Sequence, residues 1–372
     1  MKKVLKICSP QLGVSPNSSL GGEIYDYETL KGYTKKNIKV YVYLPKGKIY
    51  DRKLKNYYVT YSLFKHVFPP ILYSLLCLPY LFRTYRKEKF DILRIHSPRF
   101  LGLAGLIFHI YHPEVPILAS AVSPKPSKTL FFIEKAIYKI STKIIVQSEY
   151  MRMMLQESFN IPDKKIAVTY GGQKILSKSF SIQPAEAKLI DKSDKILLFM
   201  GVIISRKNPI FLIDVFKKTL VSVPNLKLVF IGKGKQESEI KKKVIGNKLG
   251  DKVIFIDQAY GEEKAFWFNR MNIFLMPSKD EGFGLALIEA MSIGKPAIVS
   301  NIPPFKEIIK NGEDGFTLPL NSSVWANCIV KVLTKKNLNK RISIESKRKI
   351  NKLFSWKRTY DLNMEAIKEI IR

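Results

Sequence analysis

IFLMPSKDEGFGLALIEAMSIGKPAIVS, residues 273–300, reads as an apolar strand, a glycine-bearing loop, a helix and a second strand. Gly294 followed by Lys295 and Pro296 ends the helix, because glycine caps a C terminus and proline cannot continue one. The glycines therefore sit where a helix begins, and the first amides of that helix face outward toward any anion. Two carboxylates, Glu281 and Glu289, flank the same turn. Neither suits direct contact with phosphate, so each is expected on hydroxyl groups further out. Eight helical residues rise about 12 Å, which sets the acids roughly one small ligand apart. The pattern describes a ligand with a phosphate centre and a hydroxyl-rich group at each end, as in a nucleotide-sugar.

Working outward, 372 residues are too many for one ordinary core and imply two domains. The 63 basic residues outnumber the 31 acidic ones, for a net charge of +32 that implies attraction to polyanions such as nucleotides or an anionic membrane face. Cys8, Cys77 and Cys328 have no metal-ligand spacing, and His109 with His112 has no further ligand beside it. No metal site is expected, and a reduced, cytoplasmic setting is the simplest reading. Lys6 interrupts the apolar run of MKKVLKICSP, so a signal peptide is not expected.

The chain alternates strand and helix throughout. VLKIC, a polar loop ending in Gly21-Gly22, the helix EIYDYETLKGYTKKN and the strand IKVYVYLP form a βαβ unit. DILRIHSP, PILASAV and TKIIVQS add strands, and IAVTYGG closes the first half. KILLFMGVI restarts the pattern at 195, followed by LKLVFIGKG, VIFIDQ and the stretch quoted above. Two facing doubly wound Rossmann-like domains are predicted, with ligands at the C-terminal strand ends and a cleft between the domains. The expected boundaries are 1–175, a linker at 176–194, and 195–354, with a final helix near 355–372 returning to the first domain. The apolar run Val67–Phe82, broken by three prolines and followed by RTYRKEK, is read as a buried helix. Its alternative is an element lying peripherally on a membrane.

GVIISRKNP, LVFIGKG, EGFGLALIEAMSIGKPAIVSN and the run Glu307, Gly312, Gly315 resemble the retaining family-four glycosyltransferases of GT-B fold. The resemblance is close over 195–320 and looser before it. It implies transfer of a sugar from a nucleoside-diphosphate donor to an acceptor hydroxyl with retained configuration, in cell-surface glycan or glycolipid synthesis. By the same resemblance Glu289 holds the ribose hydroxyls and Glu281 faces the sugar. The Gly282 loop and the amides of Phe283, Gly284 and Leu285 receive sugar or phosphate oxygens. Lys207 neutralises the leaving diphosphate, and Gly22 lets the first domain approach it.

Two positions depart from the family. Val202 stands where an arginine is common, and Arg206 is the candidate replacement. Val122 stands where a histidine is common, leaving His96 as the acceptor-side candidate. These departures also allow a non-catalytic, donor-binding scaffold. No aspartate pair is placed to hold a divalent ion, so metal independence is expected, and no cofactor beyond the donor substrate. No aromatic-interleaved basic motif points to nucleic acid. The partners expected are a nucleotide-sugar, a glycan or lipid-linked acceptor, and an anionic membrane surface at the inner face of the plasma membrane.

Overall fold

The structure is a computed structural model that describes residues 3–47, 54–63, 70–123, 125–173 and 181–371. The chain divides into two compact units, Met1–Gly171 with Trp356–Arg372, and Gly172–Ser355. Of the linker expected at 176–194, residues 176–180 lie outside the described residues. Residues 181–194 belong to the second unit. Ala187 is buried there, and Arg270 Nη2 donates to the Asp191 carbonyl at 2.6 Å, which ties the segment down.

The first unit is built on seven parallel strands: β1 (Lys6–Pro10), β2 (Lys39–Leu44), β3 (Tyr57–Tyr61), β4 (Ile92–His96), β5 (Ile117–Ser120), β6 (Lys143–Val146) and β7 (Ile166–Val168). Their order is β3-β2-β1-β4-β5-β6-β7. Both faces are covered by helices, so inner strands such as β4 are buried along their whole length. The helices are α1 (Gly21–Lys35), α2 (Pro70–Leu76), α3 (Leu78–Glu88), α4 (Pro98–Tyr111), α5 (Phe131–Ile140) and α6 (Glu149–Phe159). The chain runs outward from β1 to β3 and returns to β4. The loops after β1 and β4 therefore leave in opposite directions and open a crevice at that switch point.

Two readings of the sequence need correction here. The apolar run after Val67 is not one buried helix. Residues 67–69 lie outside the described residues, and the remainder forms α2 and α3, which restart around Pro79 because a proline nitrogen has no hydrogen to donate. Tyr73, Cys77 and Leu81 face the core, while Leu72, Leu75 and Leu76 are exposed. Strand β3 was absent from the sequence reading. Its YYVTY suits a sheet edge, with Tyr58 and Tyr61 exposed and Tyr57 buried.

The second unit has six parallel strands: β8 (Lys195–Met200), β9 (Leu226–Ile231), β10 (Val253–Ile256), β11 (Ile273–Met276), β12 (Ala297–Ser300) and β13 (Phe316–Leu318). Their order, β10-β9-β8-β11-β12-β13, repeats the same reversal between β8 and β11. The helices are α7 (Phe211–Leu220), α8 (Glu237–Gly246), α9 (Gly261–Arg270), α10 (Leu285–Ser292), α11 (Pro303–Ile308), α12 (Ser322–Thr334) and α13 (Lys336–Leu353). Among the described residues, no helix is long and apolar enough to cross a membrane.

The C-terminal helix, Trp356–Ile370, packs on the first unit. Ile367 is fully buried, and the Tyr33 hydroxyl donates to Asn363 Oδ1 at 2.9 Å, while Asn363 Nδ2 donates to the Thr359 carbonyl at 2.8 Å. Asn363→Ala strands the buried Tyr33 hydroxyl and is expected to cost about 1–3 kcal/mol. Urea unfolding of the full chain measures this, and Asn363→Gln should not restore it, because the longer amide cannot keep both bonds.

Candidate functional site

In the second unit the switch point lies between β8 and β11, and the loops after these strands hold the residues singled out in the sequence. The loop after β8 is shaped by backbone contact. A Cβ on Gly232 would lie 2.1 Å from the Gly201 carbonyl oxygen, and one on Gly234 would lie 2.2 Å from that of Ile203. Gly232 also has φ +139, a conformation open to glycine. Only glycines at these positions let segment 201–207 lie against the end of β9 and deliver Arg206 and Lys207 to the switch point.

Glu281 is buried between those two side chains. Lys207 Nζ lies 2.6 Å from Oε1, and Arg206 Nη1 lies 3.0 Å from Oε2 while also donating to the Asp280 carbonyl at 2.7 Å. The Ser278 hydroxyl donates to Oε1 at 2.9 Å, and the Ser300 hydroxyl donates to the Ser278 carbonyl behind it. Burial pushes the Glu281 carboxyl upward, but Lys207 and then Arg206 outweigh it, so the group is held below the usual carboxylate range. Arg206 therefore brings a cation to Glu281 from a backbone site four residues beyond Val202.

Helix α10 starts at the same place. Gly284, at φ +141, turns the chain into the helix, and a Cβ there would lie 3.1 Å from the Phe305 ring. No side chain caps the α10 N terminus. Gly282 lies in the turn before it, and Phe283 packs its ring near Phe354, with centroids 5.7 Å apart, so this residue offers only its backbone to a ligand. At the other end, Gly294 at φ +81 closes α10 with bonds from Gly294 N–H to the Met291 carbonyl and from Lys295 N–H to the Ala290 carbonyl.

Glu289 is also buried, and Lys264 of α9 places Nζ 2.7 Å from its Oε2. The sequence reading missed Lys264. A buried acid demands a counter-charge, but nothing in the sequence shows that a residue 25 positions earlier supplies it.

The first unit brings Gly22 and His96 together at its own switch point. A Cβ on Gly22 would lie 3.9 Å from His96 Nε2 and 3.9 Å from Val122 Cγ1. Behind His96 stands a pair that the sequence reading did not contain, Asp26 of α1 and Arg94 of β4, both fully buried and bonded to each other. His109 lies in the last turn of α4, and His112 Nδ1 lies 3.1 Å from Glu114. Among the described residues no group of three or more His, Cys, Asp or Glu could hold a metal ion.

Known proteins match both halves. Residues 20–173 match the family described as Glycosyltransferase Family 4, and residues 183–349 match Glycosyl transferases group 1. The chain is 26% identical over 342 residues to the capsular polysaccharide biosynthesis glycosyltransferase CapM of Staphylococcus aureus, covering 86% of this chain and 87% of that one. It is 26% identical over 276 residues to the UDP-Gal:alpha-D-GlcNAc-diphosphoundecaprenol alpha-1,3-galactosyltransferase of Escherichia coli, covering 70% of each. Among solved structures, the sucrose-phosphate synthase of Thermosynechococcus elongatus superposes with a TM-score of 0.83 at 17% identity, over 99% of both chains. Anabaena HepE in complex with UDP and glucose does so at 0.82 and 16%, over 98% of this chain and 99% of that one. The fold is therefore GT-B.

Lys264→Met removes the counter-charge of Glu289. Affinity for a nucleoside diphosphate, measured by calorimetry, is expected to fall about 3–10-fold, equivalent to about 0.7–1.4 kcal/mol. Lys264→Arg should recover most of it.

Proposed function

The chain belongs to the glycosyltransferases of family 4 and group 1, transferring sugar from a nucleotide-sugar donor in polysaccharide biosynthesis, and from that premise we propose the following division of labour. The observation that carries it is the buried Glu281 carboxylate held by Lys207 and Arg206 at the opening of α10. Glu281 faces the sugar being transferred. The two cations sit where a departing nucleoside diphosphate gathers charge, and with the uncapped α10 amides of Gly284 and Leu285 they stabilise it. Those fixed charges let the reaction run without a divalent ion. Glu289, oriented by Lys264, receives the ribose hydroxyls. Gly22 leaves the α1 N terminus of the first unit bare, with room for an anion. The transfer retains the configuration of the sugar: the C1–phosphate oxygen bond breaks, the C1–acceptor oxygen bond forms on the same face, and the acceptor proton passes to the leaving phosphate oxygen.

Two variants separate the roles. Glu289→Ala should weaken donor and free nucleoside diphosphate alike, because it removes bonds to the ribose. Glu281→Ala should bind free nucleotide within about threefold of the parent and lose about 100-fold or more in turnover, the scale expected for a transition-state contact. Equal loss of nucleotide affinity in both would show that the roles are not divided in this way. Arg206→Ala with normal turnover would remove Arg206 from the catalytic set.

The acceptor is proposed to be lipid-linked or a growing surface glycan, met at an anionic membrane face in the cytoplasm. The acceptor printed in the name of the E. coli relative supports this, as does the first unit's surface. Leu72, Leu75 and Leu76 are exposed on α2, and Arg83, Arg86, Lys87 and Lys89 are exposed along and just after α3. Each basic side chain near such a surface contributes about 1 kcal/mol, within a Debye length of about 8–10 Å. The protein should co-sediment with phosphatidylglycerol vesicles at low salt, release at high salt, and ignore phosphatidylcholine vesicles. Equal, negligible sedimentation with both at low salt would leave a soluble acceptor.

A further inference from the structure

The two acids of the second unit are held differently. Both oxygens of Glu281 are taken, Oε1 by Lys207 and Ser278 and Oε2 by Arg206. At Glu289 the Lys264 ammonium donates to Oε2 at 2.7 Å, and no described residue bonds to Oε1. The pair is enclosed, with the Lys264 and Glu289 side chains 16% and 9% exposed. Lys264 lies near the N terminus of α9 and Glu289 within α10, helices that follow β10 and β11 at the ligand end of the sheet. Phe268, one turn further along α9 and fully buried, holds the ammonium from behind, with Nζ 5.6 Å from its ring centroid.

A carboxylate that grips both hydroxyls of a ribose uses both oxygens, one for each O–H donor. Removing one hydroxyl from such a ligand is costly, because a buried charged oxygen is left without a partner. At Glu289 that partner comes from the protein itself. Lys264 covers Oε2, and a single O–H satisfies the oxygen that stays open.

We propose that Lys264 makes Glu289 a site for one ribose hydroxyl, so that the protein takes 2′-deoxynucleoside diphosphate sugars as readily as their ribonucleoside counterparts. This rests on the ribose role proposed for Glu289 above and narrows it from two hydroxyls to one. A 2′-deoxynucleotide keeps its 3′-hydroxyl for Oε1 and brings nothing to the place where the ammonium stands. Lys264 is thus a specificity-determining residue that acts on the sugar ring of the nucleotide through Glu289.

Calorimetry on the full-length protein compares UDP, GDP, ADP and CDP, each with its 2′-deoxy form. For whichever base binds, the two forms should bind within about threefold of each other. Lys264→Met uncovers Oε2. Both affinities then fall with the lost counter-charge, but the ribose form can pair its second hydroxyl with Oε2 and the deoxy form cannot. The ratio between them should therefore widen to about tenfold or more. Lys264→Arg should keep the ratio of the parent. A parent that favours the ribose form by about tenfold or more overturns the proposal without any variant. So does a Lys264→Met protein whose ratio stays within about threefold. Glu289→Ala that leaves both affinities unchanged, or a parent that binds none of these nucleotides, removes the ribose role of Glu289 itself, a failure distinct from the other two.

Discussion

A carboxylate taken out of water must be given a positive partner, and this requirement recurs at each acid of the candidate sites. Glu281 has Lys207 and Arg206, Glu289 has Lys264, and Asp26 has Arg94. None of these pairs is a strong source of stability, since desolvation offsets much of the attraction. Their effect is to fix where each acid points. In the proposed reaction, a hydroxyl-rich donor would meet Glu281 and Glu289 already in place, with little reorganisation left to perform.

The scaffold sets these pairs at the two switch points. In each parallel sheet the strand order reverses once, and neighbouring loops part there. The second unit narrows its opening with backbone contacts at Gly201, Gly232 and Gly234, which press segment 201–207 onto the end of β9. In the first unit a side chain added at Gly22 would meet, among the described residues, His96 and Val122 at van der Waals distance. One unit thus presents fixed charge, and the other presents a bare helix end with a single ring nitrogen beside it.

What the sequence disclosed divides along the same line. Strand β11, helix α10 and its glycine cap were legible because turn chemistry and apolar periodicity are local signals. Glu281 with its neighbouring loop was legible because the motif places its residues within a few positions of one another. Lys264 and Asp26 were not, because each acts on a residue far away in sequence, and a charged residue on a helix looks the same whether it faces solvent or a buried partner. The exposed edge strand β3 and the break between α2 and α3 were missed for a related reason. An aromatic or apolar run does not state which of its faces the tertiary structure will cover.

The charge assembly around Glu281 is proposed to drive a transfer with retained configuration. Proton NMR of the anomeric signal, followed while the protein turns over its preferred nucleotide-sugar, reads this in one experiment. The account predicts that nucleoside diphosphate appears together with a product whose first-formed anomer matches that of the donor. A first-formed product of opposite configuration would contradict same-face transfer. Bound donor that never releases its diphosphate, with any acceptor supplied, would contradict catalysis by this assembly.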